Sequence, residues 1–419
     1  MLKSILDKKN IIDAYFDLVS NFDEKSKSNS YQGVDGLYLN DFDINSRERL
    51  EKIREEMINL EELSPALEFI IPKKNGGKRK IYIYTIKDRI KAQAIHRVIE
   101  PFFENLYSPF LFSYRSSHPS YYAAKTVVKR YKKYFGKDYV SCFDISDYTE
   151  SLDKEILRKK LSSIELSKEV IELLDLFIDN PIISDGKVEY WEKGVVQGVP
   201  IIALFANIYL NDIDKYVGKK VSLYRRVGDD LILFDKDKKK IEFLKRYILE
   251  QISKLGLKIQ KQKTKLIKSS AEFDFLGYNF LNKKISIGSS SVNKALLNWK
   301  FKLKYYPISS KIKNSRLPNI LYKDSDSIHN QFIVFISSYK QANNKKQIKK
   351  ISEIFFHILT KYFFKKYSSR NERLMRKLVK IKIPSLYNYY SQFHNGQKTI
   401  KELSSLPKKK YNKTESKTT

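Results

Sequence analysis

Apolar residues at helical spacing around Ile11, Ile12, Tyr15 and Leu18 predict a first helix, and those between Arg47 and Leu60 a second. A polar break at Ser26 to Ser30 separates the two, and Gly33-Val34-Asp35-Gly36 between them reads as a tight turn. The period then changes. Phe69-Ile70-Ile71-Pro72 and Ile81-Tyr82-Ile83-Tyr84 flank the basic stretch Lys73 to Lys80, which predicts a β-hairpin with a cationic tip. From Lys87 to Tyr107 the spacing is helical again, with Ile90, Ala94, Ile95, Val98 and Ile99 on one face and Asp88-Arg89 at its opening.

Tyr139 to Ile145 is a β-like run, followed by a helix from about Asp153, a plausible N-cap, to Leu161. Gly198 to Leu210 holds a second long apolar helix. Val221, Leu223 and Tyr224 then reverse through Gly228 into Leu231-Ile232-Leu233-Phe234, a hairpin signal. A helix over Ile241 to Leu255, a turn at Gly256 and one strand from Phe273 to Phe280 complete this portion. Its alternation of strands and helices predicts α/β or α+β, with neighbouring strands forming an antiparallel sheet. Beyond Ser290 the chain turns to Lys-rich amphipathic helices; in one, Ile351, Ile354, Phe355, Ile358, Leu359 and Tyr362 repeat at three- and four-residue intervals. Lys408 to Thr419 lacks apolar periodicity and reads as a disordered basic tail, and no internal repeat is visible.

A chain of 419 residues buries a substantial core and predicts two or three subdomains. Against 48 Asp and Glu stand 80 Lys and Arg, a net charge of +32 that attracts a polyanion over much of the surface. Nucleic acid is the expected partner. The rival, an anionic membrane surface, finds no apolar run near spanning length and no signal-peptide pattern, so a soluble, cytoplasmic protein without a membrane partner is expected. Cys142 is the only cysteine, which excludes an internal disulfide and a cysteine-rich zinc site. Aromatics make up 13% of the chain; mixed with Lys, some suit stacking on bases, while most belong to the core.

Gly228-Asp229-Asp230 taken alone is a solvated acidic turn, since turns attract Gly and Asp for backbone reasons. Its company changes the reading. Asp144 ends the apolar run Tyr139 to Ile145, and a carboxylate at a strand end facing an acidic hairpin tip would complete a two-metal site. Because strand side chains alternate faces, Asp229 and Asp230 cannot point the same way; Asp229 is taken as the bridging ligand with Asp144, with Asp230 helping from the side. Asp147 and Asp153 are read as ordinary turn and cap residues. Between the acidic clusters, Gln197-Gly198 precedes an apolar helix and can present amide groups to a nucleotide.

In this order, the basic hairpin, strand carboxylate, Gln-Gly helix, Gly-Asp-Asp hairpin and Lys263-Thr264-Lys265 loop resemble the fingers and palm of a reverse transcriptase. The likeness is strongest to the bacterial enzymes related to group II introns, which include retron and defence-associated members. It also draws on Gly33-Val34-Asp35-Gly36, Ile71 to Arg79, Thr85 to Arg89, Ser113-Tyr114-Arg115, Gly256-Leu257 and Phe275-Leu276-Gly277-Tyr278, and covers about residues 30 to 280. The resemblance implies an α+β right-hand polymerase with a helical thumb. Its expected parts are an N-terminal helical extension over 1–65, fingers over 66–135, and a palm with interleaved fingers elements over 136–285. A helical thumb and C-terminal domain over 286–400 and a basic tail over 401–419 follow.

What it implies chemically is RNA-directed DNA synthesis from dNTPs, with Asp144, Asp229 and Asp230 holding two Mg2+. Lys73 and Arg79 would bind the triphosphate, Gln197 and Gly198 would line the nucleotide and template pocket, and Lys263 would approach the leaving group. The chain departs from the family pattern in places. The aromatic usually found five places after the strand aspartate is Thr149, with Tyr148 beside it as a substitute wall. Val227 stands for the aromatic before the catalytic pair, Val196 for a proline and Val199 for a small polar residue. These changes point to a specialised enzyme working with a dedicated RNA in antiviral defence. Other readings stay open: an intron-type maturase, a template-independent or protein-primed polymerase, a non-catalytic RNA-binding scaffold, and a homo-oligomer of any of these.

Overall fold

The computed structural model describes residues 1–20, 33–42, 47–72, 78–260, 264–304, 328–364, 368 and 386–403. The expected polar break at Ser26 to Ser30, the tip residues 73–77, Lys263 and the tail from Lys408 lie outside the described residues. Two compact units divide the chain: Met1–Ala123 with Lys137–Lys268, and Ala124–Gly136 with Ser269–Thr419.

In the first unit, helices α1 (Leu2–Ile5), α2 (Lys8–Ser20) and α3 (Arg47–Ile58) precede a hairpin of β1 (Ala66–Pro72) and β2 (Lys78–Ile83). Helix α4 (Ile86–Leu106) starts one residue earlier than its apolar face suggests, because Thr85 is its N-cap and exchanges hydrogen bonds with Asp88. Helix α5 (Ser120–Lys133) begins in this unit, and β3 (Tyr139–Ser146) follows it. Next come α6 (Lys154–Ser162), α7 (Lys168–Ile178), β4 (Ile182–Ser184) and β5 (Lys187–Glu189). Asp153 caps α6 as expected, its carboxylate accepting from the Glu155 and Ile156 amides. Then follow α8 (Pro200–Tyr209), α9 (Asn211–Gly218), β6 (Leu223–Val227), β7 (Asp230–Asp235), α10 (Lys238–Lys254), β8 (Lys258–Ile259) and β9 (Lys265–Lys268).

Two sheets form from these strands. One runs β2-β1-β4-β5, with β1 antiparallel to β2 and parallel to β4. In the other, β3 lies between β7 and the short β8 and β9, all antiparallel to it, and β6 flanks β7. Strand β7 shows why its run is apolar without alternation: Leu231 to Phe234 are all buried, and α10 packs against both β3 and β7. One contiguous apolar core from Ile5 to Leu257 unites the unit.

The second unit corrects one expectation. Phe273 to Phe280 is not one strand but a hairpin of β10 (Phe273–Phe275) and β11 (Tyr278–Leu281), turning through Leu276 and Gly277, both left-handed. The turn keeps Phe273 opposite Phe280, whose rings stack at 4.6 Å. Strand β12 (Lys284–Ile287) completes that sheet. Helices α11 (Ser289–Lys304), α12 (Ile328–Ser338), α13 (Lys345–Phe364) and α14 (Leu386–His394) follow, and Trp299 packs edge-on against Phe355 and Phe332. Among the described residues, no helix is long and apolar enough to cross a membrane.

Candidate active site

The β6–β7 hairpin turns through two residues, Gly228 and Asp229, since Val227 pairs with Asp230. Gly228 has φ +61°, a left-handed backbone that glycine adopts without cost. The β3–β7 register sets Asp144 directly opposite Asp230. Directly opposed residues project to the same face of a sheet, with Cβ atoms about 5 Å apart. Asp229 is exposed in the turn, and its carbonyl accepts from the Ile145 amide at 3.3 Å. All three carboxylates therefore come from one sheet end, with Asp144 buried and Asp230 half-buried.

Among the described residues, no three or more His, Cys, Asp and Glu side chains converge as a metal cluster. The donor set nonetheless suits magnesium, which takes hard oxygen ligands and is commonly held by one or two carboxylates, with phosphate and water completing the shell. Asp144 and Asp230, on one face of adjacent strands, would supply those two; the register thus sets Asp230 rather than the expected Asp229 opposite Asp144, with Asp229 in the next backbone position.

The turn is fixed from beneath by a buried network that the sequence reading missed. Arg226 is 0% exposed and donates to both carboxylate oxygens of Asp214, its Nη2 lying 2.7 Å from Oδ2. Burial alone would push the guanidinium's pKa down; the Asp214 carboxylate, together with Tyr148 and Tyr224, more than offsets this and raises it, keeping the charge. Arg226 also donates to the carbonyls of Gly228 (3.2 Å) and Asn207 (3.0 Å). Tyr224 donates its hydroxyl to Asp214 at 2.7 Å. On the other side the Gly228 amide donates to Ser113 Oγ at 2.8 Å, and Ser113 bonds to Asn207. Both peptide groups of Gly228 are thus tied to buried side chains. The detectable signal was the Arg225-Arg226 pair itself: successive strand residues face opposite ways, so one of the two points to the core side and must be paired if buried.

The structure brings two predicted nucleotide-pocket residues together: Gln197 Nε2 donates to Thr149 Oγ1. Gly198, at φ +130°, lies so close to β2 that a Cβ there would meet the Tyr82 carbonyl at 2.9 Å and the Tyr84 ring at 3.2 Å. Tyr84 in turn donates to the Val196 carbonyl at 2.6 Å, fastening the Gln-Gly loop to the β2 end. Tyr148 does not serve as a substitute wall: it is 7% exposed and its hydroxyl is committed to the Ala206 carbonyl at 2.5 Å, inside the core. Arg79 is exposed on β2 opposite Ile71. Lys73 and Lys263, the other predicted cations, lie outside the described residues.

Comparison with known proteins gives a family match. The model of the family described as reverse transcriptase (RNA-dependent DNA polymerase) matches residues 71–280, half of the 419-residue chain. Protein YkfC of Escherichia coli (strain K12) is 25% identical over 308 residues, covering 64% of this chain and 80% of that protein. Group II intron-encoded protein LtrA of Lactococcus lactis subsp. cremoris is 23% identical over 60% of this chain and 42% of its own length. Maturase-like protein 1 of Euglena longa is 26% identical over 66% and 60%. The chain thus spans less than two thirds of the latter two. Among solved structures, apo telomerase from Candida tropicalis aligns with TM-score 0.46 at 14% identity, covering 81% of this chain and 68% of that one.

Proposed function

Because this chain belongs to the reverse transcriptase (RNA-dependent DNA polymerase) family, we propose that it copies a dedicated RNA into DNA from dNTPs at the β6–β7 turn. The observation that carries this reading is the register that sets Asp144 opposite Asp230 beside the Gly228-Asp229 turn. Asp144, Asp229 and Asp230 would hold Mg2+, which when bound supplies charge neutralisation at the transferring phosphoryl group. The chain's own part is positioning: Arg226 and Ser113 hold the turn, while Gln197, Thr149 and Gly198 shape the nucleotide pocket, with Arg79, Lys73 and Lys263 as cations for the triphosphate. The fingers, palm and thumb are assigned to 66–135, 136–285 and 286–400, and β4 and β5 joining the β1–β2 sheet support the interleaving of fingers elements within the palm segment.

Sequencing the nucleic acid that copurifies with the protein, together with the product made on adding dNTPs, tests the reading. DNA complementary to the bound RNA is expected; untemplated homopolymer would replace RNA copying with template-independent synthesis. We place the product in antiviral defence, on the strength of a reshaped pocket; unchanged phage plaque counts with and without the gene would remove that assignment. The names of the LtrA and maturase-like relatives favour a second reading as an intron maturase, which flanking intron RNA domains would establish.

Two further outcomes follow. With Thr149 small and tied to Gln197, wild type should accept rNTPs, and Thr149→Phe should raise dNTP over rNTP preference by about tenfold or more, a scale typical of filling a pocket. Equal ratios of the two kcat/KM values in both proteins would show that Thr149 is not the sugar wall. RNA affinity should fall steeply with salt. For six to ten phosphate contacts the loss is about 10³- to 10⁵-fold between 50 and 200 mM, and a flat titration would contradict a phosphate-dominated interface.

A further inference from the structure

Resting on the polymerase reading, we infer that Tyr114 forms a stacking site for an unpaired template base next to the primer–template duplex, beside the catalytic turn. Tyr114 has φ +53°, a left-handed backbone that a bulky residue rarely adopts, and its side chain is 71% exposed. Such conformations persist where the surroundings over-determine them, and they gather at functional sites. Here the surroundings are explicit. On one side Ser113 is 3% exposed and holds the Gly228 amide through Oγ, while the Phe112 amide donates to the Arg226 carbonyl at 2.8 Å. On the other, Arg115 is 7% exposed and donates to Glu104, to the Ser108 carbonyl at 2.7 Å and to the Leu111 carbonyl at 3.0 Å.

Both neighbours of Tyr114 are thus locked into the protein, one of them on the turn that carries Asp229, and the ring between them is held out to solvent. A large apolar ring held in water gains nothing for folding. It does offer a rigid stacking face at low ordering cost, and any unpaired template base presents a π-face to it. The charge around it suits a polyanion, with Arg225 stacked over Phe112 at 5.1 Å in the same segment. The neighbouring Tyr121 and Tyr122, 43% and 41% exposed, put two more rings at the surface within eight residues. The ligand class is an unpaired nucleobase of the template strand next to an RNA–DNA duplex seated at the turn.

The test compares wild type with Tyr114→Ala, Tyr114→Trp and Tyr114→Gly, the last suited to the left-handed backbone should alanine not fold. Fluorescence anisotropy measures the Kd of a labelled RNA–DNA primer–template without nucleotide, and single-nucleotide extension measures kcat at saturating duplex. Tyr114→Ala and Tyr114→Gly should raise Kd by about 5- to 150-fold, the span of one lost base–aromatic stack, with kcat and melting temperature unchanged. Tyr114→Trp should restore binding. Unchanged Kd in the alanine and glycine variants overturns the site, as does a lost kcat with unchanged Kd, which would make Tyr114 a support for Ser113. If wild type extends no primer while the variants still bind more weakly, the polymerase reading fails and the stacking site stands.

Discussion

Asp229→Ala combined with Asp230→Ala is expected to lower nucleotide incorporation by about a thousandfold or more, since the several kcal/mol that bound metal contributes at a phosphoryl centre correspond to about three decades in rate. The fold should survive the change. Asp229 is exposed in a two-residue turn, and Asp230 is half-buried at the first position of β7, so neither substitution opens the apolar core that starts at Leu231. Removing two negative charges from a chain of net charge +32 should leave RNA affinity equal or tighter. Asp144→Asn is the companion variant: it keeps the volume of a buried side chain and removes only the charge that faces Asp230. Primer extension with Mg2+, circular dichroism and RNA filter binding together make the check. Extension at wild-type rate by the double variant would remove these carboxylates from the chemistry.

How much of this was legible in the sequence depends on how local each feature is. The β6–β7 turn was readable because Gly228 between apolar runs is a short-range signal. Asp153 as a cap was readable for the same reason. The contact between Gly228 and Ser113 joins residues 115 positions apart, and nothing in either neighbourhood announces it. Other features were local and still missed. Asp185-Gly186, both left-handed, is a strong hairpin signal for β4 and β5, obscured by the shortness of the strands. Phe273 to Phe280 reads as one strand because aromatic residues recur along it at Phe273, Phe275, Tyr278 and Phe280; Gly277 within the run marks the reversal. Thr149 was placed in the nucleotide pocket from its position after Asp144, but only the structure joins it to Gln197 and turns Tyr148 away into the core.

Arg226→Met should be the most damaging single change away from the carboxylates, and it should act in two separable ways. It leaves the Asp214 carboxylate buried without its cation, a loss of about 3–5 kcal/mol, which for a unit of this size lowers the melting temperature by about 10 °C. It also takes a donor from the Gly228 carbonyl and lets the turn shift, and misplacement by about 1 Å at a reacting centre costs about a hundredfold in rate. Adding Asp214→Leu separates the two. An apolar pair of similar volume commonly matches or exceeds the stability of a buried ion pair, so the double variant should recover part of the lost melting temperature, the rest staying lost because the Tyr224 hydroxyl no longer has its Asp214 acceptor. Its kcat should stay low, because the Gly228 and Asn207 carbonyls still lack the guanidinium. Thermal unfolding and single-turnover extension on the same preparations decide the matter. Recovery of both stability and rate in the double variant would mean that Arg226 serves the fold alone and that Ser113 suffices to hold the turn.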